Sequence, residues 1–213
     1  MEGWKVDAKE KKLTLLAVLY IILVYAAPIT FLLILELTSE NASALIFGLL
    51  FVPVVLSVIN LIYVKCNYDN ISRTALLKCT LLIKYLLIPM YIVGGMLNVL
   101  LFFLIFTPVV FMVFVSPVII GILCFFGWIY MIGGGIFSLA YIKKAAKEGV
   151  HGKFLSVIAG ILQFFFTVDV LSMMILSIKE KKYIPATISL VLIMVLGCVS
   201  SVLWLVTQVI LSV

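Results

Sequence analysis

The chain is nearly empty of the side chains that do chemistry. It has one histidine, His151, and one arginine, Arg73, and only 11% of it is charged. A lone histidine excludes an HExxH zinc site and any multi-histidine metal centre. No GxSxG nucleophile elbow occurs. An aspartyl mechanism needs two carboxylates sharing one site, and Asp169 is the only acid inside an apolar run. There is no TVGYG filter, no arginine ladder and no phosphate-cradling glycine pattern. The four cysteines, Cys66, Cys79, Cys124 and Cys198, lie far apart with no CxxC spacing and read as unpaired thiols rather than metal ligands. No enzymatic activity, metal or cofactor is therefore expected.

What the chain does have is apolar length. It is 66% hydrophobic with a mean hydropathy of +1.37, where soluble domains are about half apolar and about a quarter charged. A water-soluble fold of this size could not hide so much apolar surface. The fold class is therefore all-α: a polytopic transmembrane helix bundle in one integral membrane domain, residues 1–213. The net charge of +6 does not imply nucleic acid. Fourteen of the fifteen basic residues are Lys, so the bidentate arginine contacts of nucleic-acid readers are missing. The lysines instead sit in short clusters between apolar runs, as in cytoplasmic loops of membrane proteins.

Six spans are expected, near 13–36, 44–64, 79–105, 117–142, 154–178 and 185–213. The first exceeds a signal-peptide core and reads as a retained helix. From Tyr85 to Ile142 there are 58 residues without a charge, and one span needs about 20. Two helices fit there, broken around "TPVVFMVFVSP", where Pro108 and Pro117 each follow a hydroxyl residue able to cap a helix. The piece between them reads as a short outer helix or a re-entrant segment.

Charge orients these spans with the N-terminus in the cytoplasm of a cell membrane. Twelve basic residues then lie inside and three outside, Lys179, Lys181 and Lys182 of "KEKK", against the positive-inside rule. Either that loop is tolerated outside, or residues 154–178 dip in and return, giving five crossings and an outside C-terminus. Asp169 near a helix centre costs about 2.5–3.5 kcal/mol. The fifteen Phe, Leu, Ile and Val residues of the run contribute roughly 0.3–0.6 kcal/mol each. The sum favours a crossing helix.

Asp169 is the leading candidate for a functional residue, because an ionisable group at depth is costly. Ser172, three positions on, shares its helical face, whereas Gln163 lies about 120° around and belongs to a neighbouring wall. Lys84 is the natural counter-charge, but it sits nearer the cytoplasmic end, so pairing needs a favourable offset. These four residues form the candidate substrate- or ion-binding set. Gly133, Gly134, Gly135 and Ser138 read as a helix-packing face, and the pairs Ser156/Gly160 and Gly197/Ser201 invite the same reading.

The segments "LQFFFTVDV" and "IKYLLIPMY" resemble an uncharacterised family of small bacterial polytopic membrane proteins. The resemblance rests on Gln163, Phe164, Phe165, Phe166, Asp169, Lys84 and Pro89. It implies a bacterial plasma membrane and no established activity. Two functions fit these features: a small permease or membrane subunit of a transport system, using Asp169, or a non-catalytic accessory, immunity or sensor protein. Its partners are expected to be the lipid bilayer and a membrane protein or a second copy of the chain.

Overall fold

The computed structural model describes residues 2–36, 42–107 and 110–193, together with residues 195 and 207. The described elements are all helical: α1 (Glu2–Glu36), α2 (Ala42–Asn67), a 3-10 turn (Tyr68–Asn70), α3 (Arg73–Leu104), α4 (Val110–Lys147), α5 (Lys153–Leu162) and α6 (Val168–Lys179). A further apolar helix covers Ile184–Ile193. Four segments, Ala8–Ile29, Gly48–Asn70, Arg73–Leu104 and Phe111–Lys147, are long and apolar enough to cross a membrane. The protein is a helical membrane protein.

The chain forms two compact units, Met1–Ser172 and Met173–Val213. In the first, α1 and α4 each pack on both α2 and α3, and α5 packs on α4. The four long helices thus make a square bundle around Tyr20, Leu76, Ile83, Met131 and Phe137. In the second, residues 180–183 form a tight turn in which Lys181 and Tyr183 take positive φ. Thr187 Oγ1 closes back on the Tyr183 carbonyl at 3.1 Å.

Several elements differ from the sequence expectations. The third helix starts at Arg73 rather than near 79, because Ser72 caps it, its Oγ accepting the Ala75 N–H at 3.1 Å. The fourth starts at Val110 rather than 117. Ser116 is not a cap but is buried, and Pro117 lies inside α4. Proline is tolerated inside apolar helices because neighbours re-satisfy the opened turn. Side chains of other helices reach the backbone near two other prolines: Tyr130 donates to the Leu50 carbonyl, three residues before Pro53, and Tyr25 donates to the Leu86 carbonyl, three before Pro89. The expected segment between the third and fourth spans reduces to a turn over 105–107; Pro108 lies outside the described residues. Of the expected sixth span, Ile184–Ile193 is helical, and Cys198 and Gly197/Ser201 lie outside the described residues.

Three basic clusters gather at one end of the bundle. Tyr63 donates to the Lys9 carbonyl at 3.1 Å, and Lys12 lies 5.6 Å from the centre of the Tyr63 ring. Arg73 pairs with Glu148 at 2.6 Å. Lys144 donates to the carbonyls of Tyr68 and Ile71. His151 lies in the loop between α4 and α5, where it is buried at this end with Nε2 3.0 Å from the Tyr141 hydroxyl.

The glycine face of α4 is only partly as expected. A methyl on Gly133 would overlap Ser57 Oγ and stand 2.6 Å from the Tyr20 hydroxyl, and one on Gly134 would stand 2.9 Å from Ile83 Cγ2. Ser138 is fully buried. Gly135 has no atom within 4 Å of its Cβ position, so close packing does not extend to it. Successive helix positions turn about 100° apart, and the contact face covers two of the three glycines.

Candidate functional site

Residues 154–178 do not form one continuous helix. The run is helical to Leu162, opens over residues 163–167, and becomes helical again at Val168. Gln163 Nε2 donates both to the Ala159 carbonyl at 3.2 Å and to Ser172 Oγ at 2.8 Å. Residues 159 and 172 would be about 20 Å apart along a straight helix. One amide touching both means that the first turn of α6 folds back beside the last turn of α5. The expected continuous helix is instead two short helices, with a reversal between Gln163 and Ser172. The first of them, ten residues, is about 15 Å long, half the thickness of a hydrocarbon core of about 30 Å.

The break has a local cause and a set of partners. Thr167 has φ 67, a genuine outlier for a β-branched residue, and the Val168 N–H bonds across it to the Phe166 carbonyl at 2.7 Å. This is a strained γ-turn. Such strain costs on the order of 1–3 kcal/mol and persists only where the surroundings fix it. Here they do so through several contacts. The Trp128 indole donates to the freed Phe164 carbonyl at 3.3 Å. Phe166 lies 3.5 Å from the Cβ position of Gly127 and packs edge-on against Tyr91, centroids 6.0 Å apart.

The reversal decides where Asp169 goes. Lys84 Nζ makes a direct, hydrogen-bonded ion pair with Asp169 Oδ2, and the two side chains are 1% and 0% exposed. On a straight helix Asp169 would lie deeper than Lys84. The returning limb brings it back to the level of Lys84, which is about 16 Å along α3 from Arg73. The offset that the sequence left open is supplied by the reversal. Asp169 also sits in the first turn of α6, where the helix dipole favours a negative charge, and its Oδ1 accepts the Val170 N–H at 2.8 Å.

The rest of the expected set converges here too. Ser172 donates to the Asp169 carbonyl at 2.9 Å while accepting from Gln163. Gln163 therefore faces the Asp169 turn rather than a separate wall, because the helical register used to place it does not survive the break. Two polar atoms remain buried without a hydrogen-bond partner, Gln163 Oε1 and the Tyr91 hydroxyl. Tyr91 lies within electrostatic reach of Asp169. It is seven residues after Lys84, two helical turns along the same face, so its part in the site was accessible to sequence reasoning. The parts of Trp128 and Thr167 were not.

A family model described as a family of unknown function, DUF6652, matches residues 8–182. The chain belongs to this family. The match takes in Lys84, Tyr91, Gln163, Asp169 and Ser172, so the whole site lies within the DUF6652 region. No curated protein and no solved structure matches the chain.

Proposed function

We propose that the protein is a small permease, or the membrane subunit of a transport system, and that the Lys84–Asp169 pair at the broken helix is its polar site. The observation that carries this reading is an ion pair fully withdrawn from solvent beside an irregular backbone. Non-helical backbone at membrane depth is tolerated only where protein or a cavity surrounds it, and discontinuous helices form the ion and substrate sites of many transporters. Gln163 Oε1 and the Tyr91 hydroxyl supply unused hydrogen-bonding capacity next to the pair. A proton or small cation arriving at Asp169 would compete with Lys84, which makes the pair a two-state element.

The test is flux. Wild-type protein in proteoliposomes should carry protons or monovalent cations, read by an entrapped pH-sensitive dye under an imposed gradient. The double variant Lys84→Met/Asp169→Leu, which leaves no buried charge unpaired, should remain folded and lose that flux. Unchanged flux in this folded variant would reject the proposal. A second reading is a non-catalytic accessory, immunity or sensor protein, favoured by the closed, mutually neutralising geometry of the pair. It requires a co-purifying membrane partner, and a partner-free particle in detergent would remove it.

We further propose a bacterial plasma membrane location with the basic end of the bundle in the cytoplasm. A re-entrant course for residues 154–178 would put "KEKK" on the cytoplasmic side, in accord with the positive-inside rule. Lys181→Cys in a cysteine-free background should then resist an impermeant maleimide added to intact cells and react once the cells are permeabilised. Labelling of intact cells would show the opposite topology.

A further inference from the structure

Between α4 and α5 runs a groove of about 710 Å³ that the ion pair does not use. Its α4 wall carries Leu139, Ile142 and Lys143, and its α5 wall carries Lys153, Ser156, Val157 and Gly160. Among the described residues no acidic side chain lines it. We propose that this groove binds one anionic phospholipid.

The order of residues along α5 matches the order of groups along such a lipid. Lys153 opens the helix and Lys143 lines the α4 wall, its ammonium resting 5.6 Å from the centre of the Tyr68 ring; both are exposed at the basic end of the bundle. Two lysines at the mouth of an apolar cleft complement a phosphate, and basic pockets between membrane helices on this side suit anionic headgroups. About one turn deeper, roughly 5 Å on, lies Ser156. It is 8% exposed, and its hydroxyl is buried without a hydrogen-bond partner. An orphaned hydroxyl inside an apolar cleft calls for an acceptor, and the ester carbonyl of a glycerolipid lies at that distance from its phosphate side.

Deeper still, Gly160 keeps the cleft open, since the nearest atom to its Cβ position is Leu139 Cδ2 at 3.9 Å. The groove then ends on Phe164 and Phe165 at the break, where an acyl chain meets aromatic faces. The Ser156/Gly160 pair, which in sequence reads as a helix-packing motif, here lines a lipid-sized cleft.

The experiment uses the full chain purified in detergent and titrated with dioleoylphosphatidylglycerol or dioleoylphosphatidylcholine, with native mass spectrometry reading the retained lipid. Phosphatidylglycerol should bind with clear preference. Lys143→Gln and Lys153→Gln should each weaken it about fivefold, the equivalent of about 1 kcal/mol for each basic residue at an anionic surface. Gly160→Leu should abolish retention by filling the cleft without touching the headgroup. Equal binding of the two lipids would overturn the proposal. So would equal stabilisation by inorganic phosphate alone, which needs no chain. Retention unchanged in Gly160→Leu would place the lipid elsewhere, and a dimer that Gly160→Leu dissociates would identify a second copy as the occupant.

Discussion

Replacing either member of the buried pair alone, as Lys84→Met or Asp169→Leu, is expected to destabilise the protein by about 3–5 kcal/mol, the usual effect of leaving one buried charge without its partner. The double replacement should recover most of that loss. The asymmetry follows from solvation. Both side chains are withdrawn from solvent, and their mutual attraction offsets a desolvation penalty of several kcal/mol per ion. With one partner gone the other keeps its penalty and loses its compensation. With both gone, neither term remains, and apolar side chains of similar volume fill the site. The two single variants should not differ greatly, although Asp169 retains one consolation that Lys84 lacks, the Val170 N–H at the positive end of α6. Titration with a denaturing detergent, followed by loss of helical signal, measures all three variants. A cost below about 1 kcal/mol for both singles, the range of solvent-exposed pairs, would mean that the pair is hydrated and does not hold the reversal.

The second large effect is expected at Gly133. Gly133→Ala should cost about 1–3 kcal/mol through overpacking, while Gly135→Ala, two residues on, should be neutral or slightly stabilising. In a helix interior alanine is favoured over glycine by about 1 kcal/mol, and at Gly135, although it is buried, no described atom within 4 Å of the Cβ position opposes this. At Gly133 the added methyl runs into Ser57 Oγ and the Tyr20 hydroxyl. Those groups cannot retreat without giving up their bonds to the Pro53 carbonyl at 2.8 Å and to the Tyr130 carbonyl. Ser57→Ala should therefore relieve part of the Gly133→Ala defect, a coupling that a double-mutant cycle reads directly. The same denaturation midpoint compared across the four proteins is sufficient. Equal effects at 133 and 135 would contradict the one-sided packing of the α4 glycines.

The helices were legible in the sequence because their cause is local. An apolar stretch in lipid has to satisfy its own backbone, and a helix is the only single-segment way to do so. Leu13–Glu36, Ala44–Val64 and the charge-free stretch after Lys84 announced themselves by composition. The ends were less legible, since Ser72 and Ser116 both precede helix-compatible residues and only packing shows that Ser72 caps a helix while Ser116 lies buried inside one. The participants of the site were legible for a different reason. Lys84, Gln163, Asp169 and Ser172 stand out because polar groups in apolar runs are expensive, and the structure brings all four together.

Their arrangement was not legible. The break that joins them contains no glycine or proline; it falls on "QFFFT", where the strongest sequence breakers are missing. Insertion energies summed over the run favoured one crossing helix, because such sums treat each residue separately. They cannot register that Trp128, Tyr91 and Gly127, far away in sequence, hold Phe164 and Phe166 in place. They also cannot register that Lys84 neutralises the acid.

The sequence by itself determined that this is a helical membrane protein and singled out Asp169 and Lys84 as charges inside or beside apolar runs. Only the tertiary structure decided that the fifth apolar run breaks after Leu162 and that Ser172 comes back beside Gln163. The strain at Thr167 is unfavourable within its own segment, so a conformation that contains it can be selected only by contacts from other helices. The depth of Asp169, its pairing with Lys84 and the cleft beside α5 all follow from that one non-local choice.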